Sequence, residues 1–520
     1  MSIKYKISPI ALKTPFRLSK KDSGIRETKE FIYYPLTPTI IDKIPHTEIR
    51  LKAKEYLENI ESAKEKVTVT DPRLRDYQKL DASTMVLFKR IGLFNQQRLG
   101  KTPTVLSSLK AINDDFITLI IAPKSTHYQW EKEVHKWYEK PVERIRGPLN
   151  QRLKAYNKKS KVYITTYETA HRDFDYLLPI INCVVVDEAH RLRNFKGFHS
   201  KYSPSFTKSV IKLCTTSNYR FLLTGTPAPN YPYQIYPLLH ILYPDIFSSY
   251  WGFVDYYFSK NEIYTKQGTV TVEGNFKNKE KERELQEFLN ITCIQRKRKD
   301  YMKWLPKTDI HEIKLELDKK ERKWYNELNE TWECEELGYD CPNKLALMIR
   351  LRQITSTMST KENYILDYIK DYPEEQIIIT STFSSYLKEL QKKIPNSKLI
   401  TGETTSKERG ILEQNFNKKE YKILLGNTDV LKEGMKLEQG NTIIVINPSL
   451  TYSDNEQLYD RIVPTNQEVA ESKEKQQVLL LIIPDTIDEY IQQKLDLKES
   501  STSIINNFTI IKRKENKNEQ

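Results

Sequence analysis

Apolar residues along this chain gather in short runs rich in Ile and Val, with polar segments of helical spacing between them. In the first half the runs read "TLIIAP" (Thr118 to Pro123), "KVYITTY" (Lys161 to Tyr167), "CVVVDEAH" (Cys183 to His190) and "RFLLTGTP" (Arg220 to Pro227). A second series reads "QIIITST" (Gln376 to Thr382), "KLITG" (Lys398 to Gly402), "KILLGNT" (Lys422 to Thr428), "TIIVINP" (Thr442 to Pro448) and "VLLLIIP" (Val478 to Pro484). Unbroken apolar runs of this length are what strands buried on both faces require, so the pattern predicts parallel sheets flanked by helices. Two similar α/β lobes are the simplest architecture, over residues 71–240 and 357–500.

Between them, over 241–356, aromatic and charged residues follow helical spacing, as in "ERKWYNEL" and "LALMIRLRQI", which predicts a helical insertion. Residues 1–70 carry "YYPLTPTIIDKIP" and then a helix-like "EIRLKAKEYLENIESAKEK", an accessory element open to two readings: a DNA-binding module or a stabilising cap on the first lobe. The tail 501–520 ends in "IKRKENKNEQ", charged and almost without apolar residues, and is predicted to be disordered.

Composition narrows the function classes. A formal net charge of +14 points to a polyanionic partner, nucleic acid first, although a Lys-rich solvated surface carries the same charge. Five cysteines with no C-x-x-C spacing argue against a zinc site or a disulfide framework and suggest a reducing compartment. No run reaches the roughly 20 apolar residues that span a bilayer, and "MSIKYKISPIALKTPF" has no signal-like apolar region, so no membrane partner is expected and the cytoplasm is the expected location. Abundant Lys, Asn, Ile and Tyr beside only 15 Gly suggest an AT-rich genome, viral or bacterial, which sets that cytoplasm in a bacterium or a host cell.

The chemistry sits at the ends of the apolar runs. "FNQQRLGKTPT" (Phe94 to Thr104) follows the strand-like "MVLFKRIGLF" and precedes the helix-like "VLSSLKAI". There, backbone N–H groups around Gly100 cradle phosphate, Lys101 reaches the β and γ phosphates, and the Thr102 hydroxyl coordinates magnesium. The strict phosphate-loop pattern places glycine at the position of Asn95, and many nucleotide-driven motors place another at Arg98, so taken alone the signal is weak. Asp187 and Glu188 end an apolar run 86 residues after Lys101; the first suits the metal and the second the attacking water. Thr224, Gly225 and Thr226 end the next run, a composition suited to hydrogen bonds that exchange partners with nucleotide state.

In this order the motifs resemble those of the Swi/Snf-type ATPases of helicase superfamily two, over about residues 70 to 495. "LRDYQ" resembles the upstream motif whose glutamine, here Gln78, contacts adenine; "IIAPKSTHYQWEKEVHKW" and "VYITTYE" resemble motifs that touch the DNA backbone. "LLHILYPDIFSSYWGFVDYYF", "IQRKRKDYMKWLPKT", "LALMIRLRQI", "ITGETTSKERGILEQNF", "ILLGNTDVLKEGMKLEQGNTIIVINP" and "DTIDEYIQQKL" resemble further landmarks of the same family. The resemblance implies two RecA-like lobes that hold ATP and Mg²⁺, with Gly434, Gln457 and Arg461 of the second lobe joining the nucleotide site and Arg461 meeting the γ-phosphate. It also implies DNA-backbone contacts at Lys124, Ser125, Thr126, Thr166, Thr401 and Gly402, residue types suited to phosphate oxygens. The basic run Arg296 to Lys299 either joins them or is a solvated face.

Two departures matter. Arg98 stands where the family has glycine, and it either adds positive charge beside the phosphates or points into solvent. Pro464 stands where the family has a second arginine, an element worth roughly 10³ or more in rate. Either Arg461 acts alone, a cation of "ESKEK" substitutes, or hydrolysis is slow. The expected function is a DNA-dependent ATPase that moves along duplex, forked or branched DNA in replication, recombination or repair. A single-strand-tracking helicase and an ATP-gated DNA scaffold are the alternatives.

Overall fold

The computed structural model describes residues 6–8, 10–15, 17–18, 24–112, 115–229, 231–265, 268–432, 435–473 and 475–497. The tail 501–520 and Gly434 lie outside them. The chain forms two compact units that divide between Asp300 and Tyr301.

The first unit is built on a seven-stranded sheet in the order Cys293–Ile294, Arg90–Leu93, Tyr219–Leu223, Cys183–Asp187, Thr118–Ile121, Val162–Thr165, Val142–Arg144, with every pairing parallel. The four central apolar runs are buried at nearly every position, as sheets covered by helices on both faces demand. The second unit has a six-stranded parallel sheet in the order Asp309–Lys314, Gln477–Ile482, Thr442–Val445, Ile377–Ser381, Ile423–Asn427, Lys398–Ile400. The α/β class expected from the apolar runs is therefore what the chain adopts, twice.

Three local expectations need correction. "MVLFKRIGLF" is not one strand. Gln78, Asp81, Ala82 and Met85 are buried at helical spacing while Leu87 is 49% exposed, so Asp76–Phe88 is a helix. Lys89, at φ 60°, turns the chain, and only Arg90–Leu93 joins the sheet. The insertion is not wholly helical either, because Phe258–Thr265 and Gly268–Phe276 form an antiparallel hairpin. The segment 241–356 also divides between the units, and its Asp309–Lys314 stretch is a sheet-edge strand whose polar, largely exposed sequence conceals it.

The N-terminal residues fold as a four-stranded antiparallel sheet followed by the Thr47–Lys64 helix, and they share the first unit's core. Ile10, Leu12, Tyr34, Leu36 and Ile41 are buried in the same apolar cluster as Tyr257 and Phe288. Polar ties fix the same contact: the Thr39 amide and hydroxyl donate to Glu287 at 2.9 and 3.0 Å, and Lys64 Nζ donates to the carbonyls of Asn290 and Ile291. All five cysteines are buried thiols, and no helix among the described residues is long and apolar enough to cross a membrane.

In the second unit a buried ion pair locks three elements together. Lys361 Nζ donates to Asp488 Oδ2 at 2.6 Å and to the Ile446 carbonyl at 2.7 Å, while the Thr355 hydroxyl donates to Asp488 Oδ1 at 2.8 Å. The two charged side chains are 0% and 3% exposed, and burial lowers the lysine pKa below its ordinary value. Removing one partner strands the other in a low-dielectric interior, a cost of about 3–5 kcal/mol. Lys361→Met is expected to destabilise the second unit by about that amount in denaturant unfolding, and Lys361→Met/Asp488→Leu to recover most of the loss. A double variant no more stable than the single one would show that the pair is not what locks these elements.

Candidate active site

Three loops leave the carboxyl ends of three adjacent strands of the first unit, the edge at which open α/β sheets bind ligands. The Arg90–Leu93 strand leads through Phe94–Gly100 into the Lys101–Ile112 helix. Its neighbour Tyr219–Leu223 leads into Thr224–Thr226, and the next, Cys183–Asp187, ends on the two acids. Gly100, Lys101, Thr102, Asp187, Glu188, Thr224, Gly225 and Thr226, far apart in sequence, thus share one edge.

The phosphate loop is held by its surroundings at nearly every residue. Phe94 N donates to the Ile294 carbonyl at 2.7 Å and Gln96 N to that of Arg296 at 3.0 Å, so strand pairing continues past the end of the sheet. Arg298 N donates to Gln96 Oε1 at 2.7 Å. Asn95 is fully buried and donates through Nδ2 to Asp81 Oδ2 at 2.8 Å; the other Asp81 oxygen takes Arg296 Nε at 2.7 Å and Nη2 at 2.6 Å. Burial raises the Asp81 pKa, and Arg296 and Asn95 oppose the shift. Of the basic run, Arg296 is thus a structural brace. Asn95, which looks like a defect in the motif, is the side chain through which the loop grips that brace.

Gly100 takes φ +73°, and a Cβ there would lie 2.2 Å from Gln78 Nε2. Glycine is needed both for the left-handed backbone and for this close approach. Gln78 is 7% exposed, donates to the Leu99 carbonyl at 3.1 Å and accepts from Arg75 N at 2.9 Å. Its amide therefore ties the loop, at Leu99, to the start of its own helix, at Arg75. Lys101 Nζ donates back to the carbonyls of Asn95 at 2.9 Å and Gln96 at 3.5 Å, which places the cation over the hollow of the loop. Arg98 is half-buried with φ +70°, so a left-handed conformation that suits glycine is held here by an arginine.

Asp187 accepts from Trp130 Nε1 at 2.9 Å and from Glu188 N at 3.0 Å. Its pKa is pushed up to about 6, by burial first and by the adjacent Glu188 second, with Trp130 and Lys101 pulling it down. Tyr167 OH donates to the Asp187 and Glu188 carbonyls at 2.5 and 3.1 Å and, raised far above its ordinary pKa by burial, stays a donor. Glu188 adopts the left-handed φ of 52°, a conformation a bulky residue holds only when its surroundings impose it. His190 Nδ1 lies 3.1 Å from Thr224 Oγ1 and 3.3 Å from Glu188 Oε2, and so links the acids to the Thr224–Thr226 segment. Thr224 Oγ1 accepts from Thr226 N at 3.1 Å, while the buried Thr226 hydroxyl makes no hydrogen bond.

The adjacent Asp187 and Glu188 carboxylates, at the sheet edge from which the helix carrying Thr102 starts, are oxygen donors of the kind a hard divalent cation takes. Trp130, Tyr167, His190 and Asp81 escaped the sequence reading as site residues, and Arg296 entered it only as a candidate DNA contact. All but Asp81 lie inside recognised motifs, but only the fold shows what they touch.

The expected nucleic-acid contacts also fall at strand ends. Lys124–Thr126 form a turn after Thr118–Ile121, with Lys124 exposed and Ser125 and Thr126 half-buried. Thr166 caps the Tyr167–Arg172 helix after the neighbouring strand, accepting from Thr169 N. In the second unit Thr401 is 5% exposed and Gly402 is exposed, directly after Lys398–Ile400. Gln457 is half-buried on the Tyr452–Tyr459 helix. The Arg461 guanidinium is buried and donates to the carbonyls of Lys432 and, at 3.3 Å, Met435. Lys473 donates to the carbonyls of Gly440 and Ile462, both at 2.6 Å, and Lys475 pairs with Glu375. The cations of "ESKEK" among the described residues are thus engaged within their own unit.

The model of the SNF2-related domain matches residues 59–372, and that of the helicase conserved C-terminal domain matches residues 360–464. The chain is 28% identical over 276 residues to the ISWI chromatin-remodeling complex ATPase ISW1 of Saccharomyces cerevisiae, covering 50% of this chain and 22% of that protein. It is 28% identical over 310 residues to the human chromodomain-helicase-DNA-binding protein 8, covering 54% of this chain and 11% of that protein. It therefore spans less than a quarter of the length of either relative. Among solved structures, the Sulfolobus solfataricus SWI2/SNF2 ATPase core in complex with dsDNA is 21% identical, with 85% of this chain and 96% of that chain covered and a TM-score of 0.40.

The left-handed backbone at Arg98 supports a direct test. A β-branched side chain tolerates positive φ least, so Arg98→Val is expected to unfold about 1 kcal/mol more easily than Arg98→Gly. Urea unfolding followed by tryptophan fluorescence measures the difference, and a valine variant as stable as the glycine one would remove the conformational argument.

Proposed function

The chain belongs to the SNF2-related domain family, and from that premise we propose that it hydrolyses ATP and couples the turnover to movement along duplex or branched DNA during replication, recombination or repair. The observation that carries this reading is the convergence of Lys101, Asp187 and Glu188 at one sheet edge, with Lys101 close enough to pull down the Asp187 pKa. The amides at the start of the Lys101–Ile112 helix receive phosphate oxygens. Lys101, now on the Asn95 and Gln96 carbonyls, turns to the β and γ phosphates. Thr102 and Asp187 would hold Mg²⁺, which supplies neutralisation of phosphate charge when bound. Glu188 orients the attacking water, and its contact through His190 carries the state of the acid to Thr224. Lys124, Ser125, Thr126, Thr166, Thr401 and Gly402 grip the DNA backbone, without reading sequence. A net charge of +14 favours that polyanion.

A second reading, an ATP-gated DNA binder with little turnover, is favoured by Pro464 and by the Arg461 guanidinium, which must leave the Lys432 and Met435 carbonyls before it can meet a phosphate. Steady-state hydrolysis without DNA and with single strands, duplex and fork separates the two. The expected outcome is strong stimulation by duplex or fork, reduced at least ~100-fold in Lys101→Ala and Glu188→Gln. Tight nucleotide-sensitive DNA binding with no stimulated turnover would establish the gated binder instead.

A further inference from the structure

On the first unit, away from the phosphate loop, lies a cavity of about 400 Å³ between the segment that follows Thr224–Thr226 and the base of the hairpin. That volume falls within the roughly 300–1,000 Å³ of small-molecule pockets. Its walls are aromatic. Tyr231 and Tyr233 stack nearly parallel, with ring centroids 5.1 Å apart at 7°; Phe258 meets Tyr233 edge-on at 6.1 Å; and Phe276 stacks on Phe258 at 4.6 Å. Tyr231 is 39% exposed, an unusual position for a ring already stacked on a neighbour. Asn275 and Asn278 add amide groups to the same lining, and Lys279 with Glu282 set one charge of each sign beside them.

The backbone shapes this cavity. The hairpin register slips between Phe258 and Lys260, a bulge of the kind that re-aims side chains. Gly274 lies in the bulged stretch, where a Cβ would sit 2.3 Å from Ser259 Oγ, so the strands close tightly there and carry Asn275 and Phe276 to the cavity.

We propose that this cavity takes an unpaired nucleobase, stacked on the Tyr231–Tyr233 pair with its polar edge toward Asn275 and Asn278. A flat aromatic face accepts any base, because every base has a π-face; Asn275 supplies an amide donor and acceptor, while Asn278, whose Oδ1 caps the following helix by accepting from Lys281 N at 2.9 Å, supplies its NH₂ donor. A cationic guest would also favour aromatic walls, but the two charges at the lining cancel and the positive charge of the chain opposes it. The inference rests on the DNA reading above and deepens it: the preferred substrate is duplex DNA with unpaired bases, as at a flap or fork.

The test uses the full chain with a blunt duplex and with the same duplex carrying a single-stranded flap, each containing 2-aminopurine. Affinity is expected to be roughly tenfold higher for the flapped DNA, with quenched 2-aminopurine in the flap, and that ratio is expected to fall to about one in Tyr231→Ala and to persist in Tyr231→Phe. A flap preference unchanged in correctly folded Tyr231→Ala and Tyr233→Ala, or no preference in the natural chain, overturns the pocket and leaves duplex binding and turnover untouched. Failure to bind either DNA overturns the functional reading itself.

Discussion

The pair of buried Asp81 and half-buried Arg296, gripped from the phosphate loop by Asn95, is the constraint on which the candidate site rests. These two residues stand 215 positions apart, and their pairing brings the chain that follows the Cys293–Ile294 strand back beside the loop. Extended pairing then runs on through Phe94 and Gln96, so the loop enters its turn from a fixed direction and Gly100 arrives against Gln78. A phosphate site needs amides aimed at one point before the ligand arrives, and a loop tied only at its two ends does not provide that. The left-handed φ values of Arg98 and Gly100 are held by these ties.

The fold was legible wherever burial on both faces leaves an unbroken apolar run: Thr118–Ile121, Cys183–Asp187, Ile377–Ser381 and Gln477–Ile482 announce themselves. It was illegible at the edge strand Asp309–Lys314, where one solvated side lets polar residues enter, although the opposite edge, Lys398–Ile400, was read. It was also misread at Met85–Phe88, where apolar residues resume after only two positions, Lys89 and Arg90, and hide the turn between them. Helical phase would have separated the two elements, since Gln78, Asp81, Ala82 and Met85 fall on one stripe.

For the site, the residues with chemistry of their own were legible from motif and spacing: Lys101, Asp187 and Glu188. Their supports were not, because Trp130, Tyr167, His190 and Arg296 act through contacts that only folding creates. Arg461 shows the converse. Its position matches a motor arginine, yet its guanidinium occupies backbone carbonyls of its own unit. A buried guanidinium held through both Nη atoms has hydrogen bonds to surrender before it can serve another partner, and Pro464 offers no second cation.

The N-terminal sheet carries a consequence for biosynthesis. Its apolar residues share a core with Phe288, and the segment directly after it is tied through Thr39 to Glu287 on the same helix, 248 residues downstream. At about 5–20 residues per second a ribosome needs on the order of 10–50 s to supply that helix. Throughout that interval Leu12, Tyr34 and Leu36 lack Tyr257 and Phe288, so the sheet completes its core only when segments more than 200 residues downstream have been made.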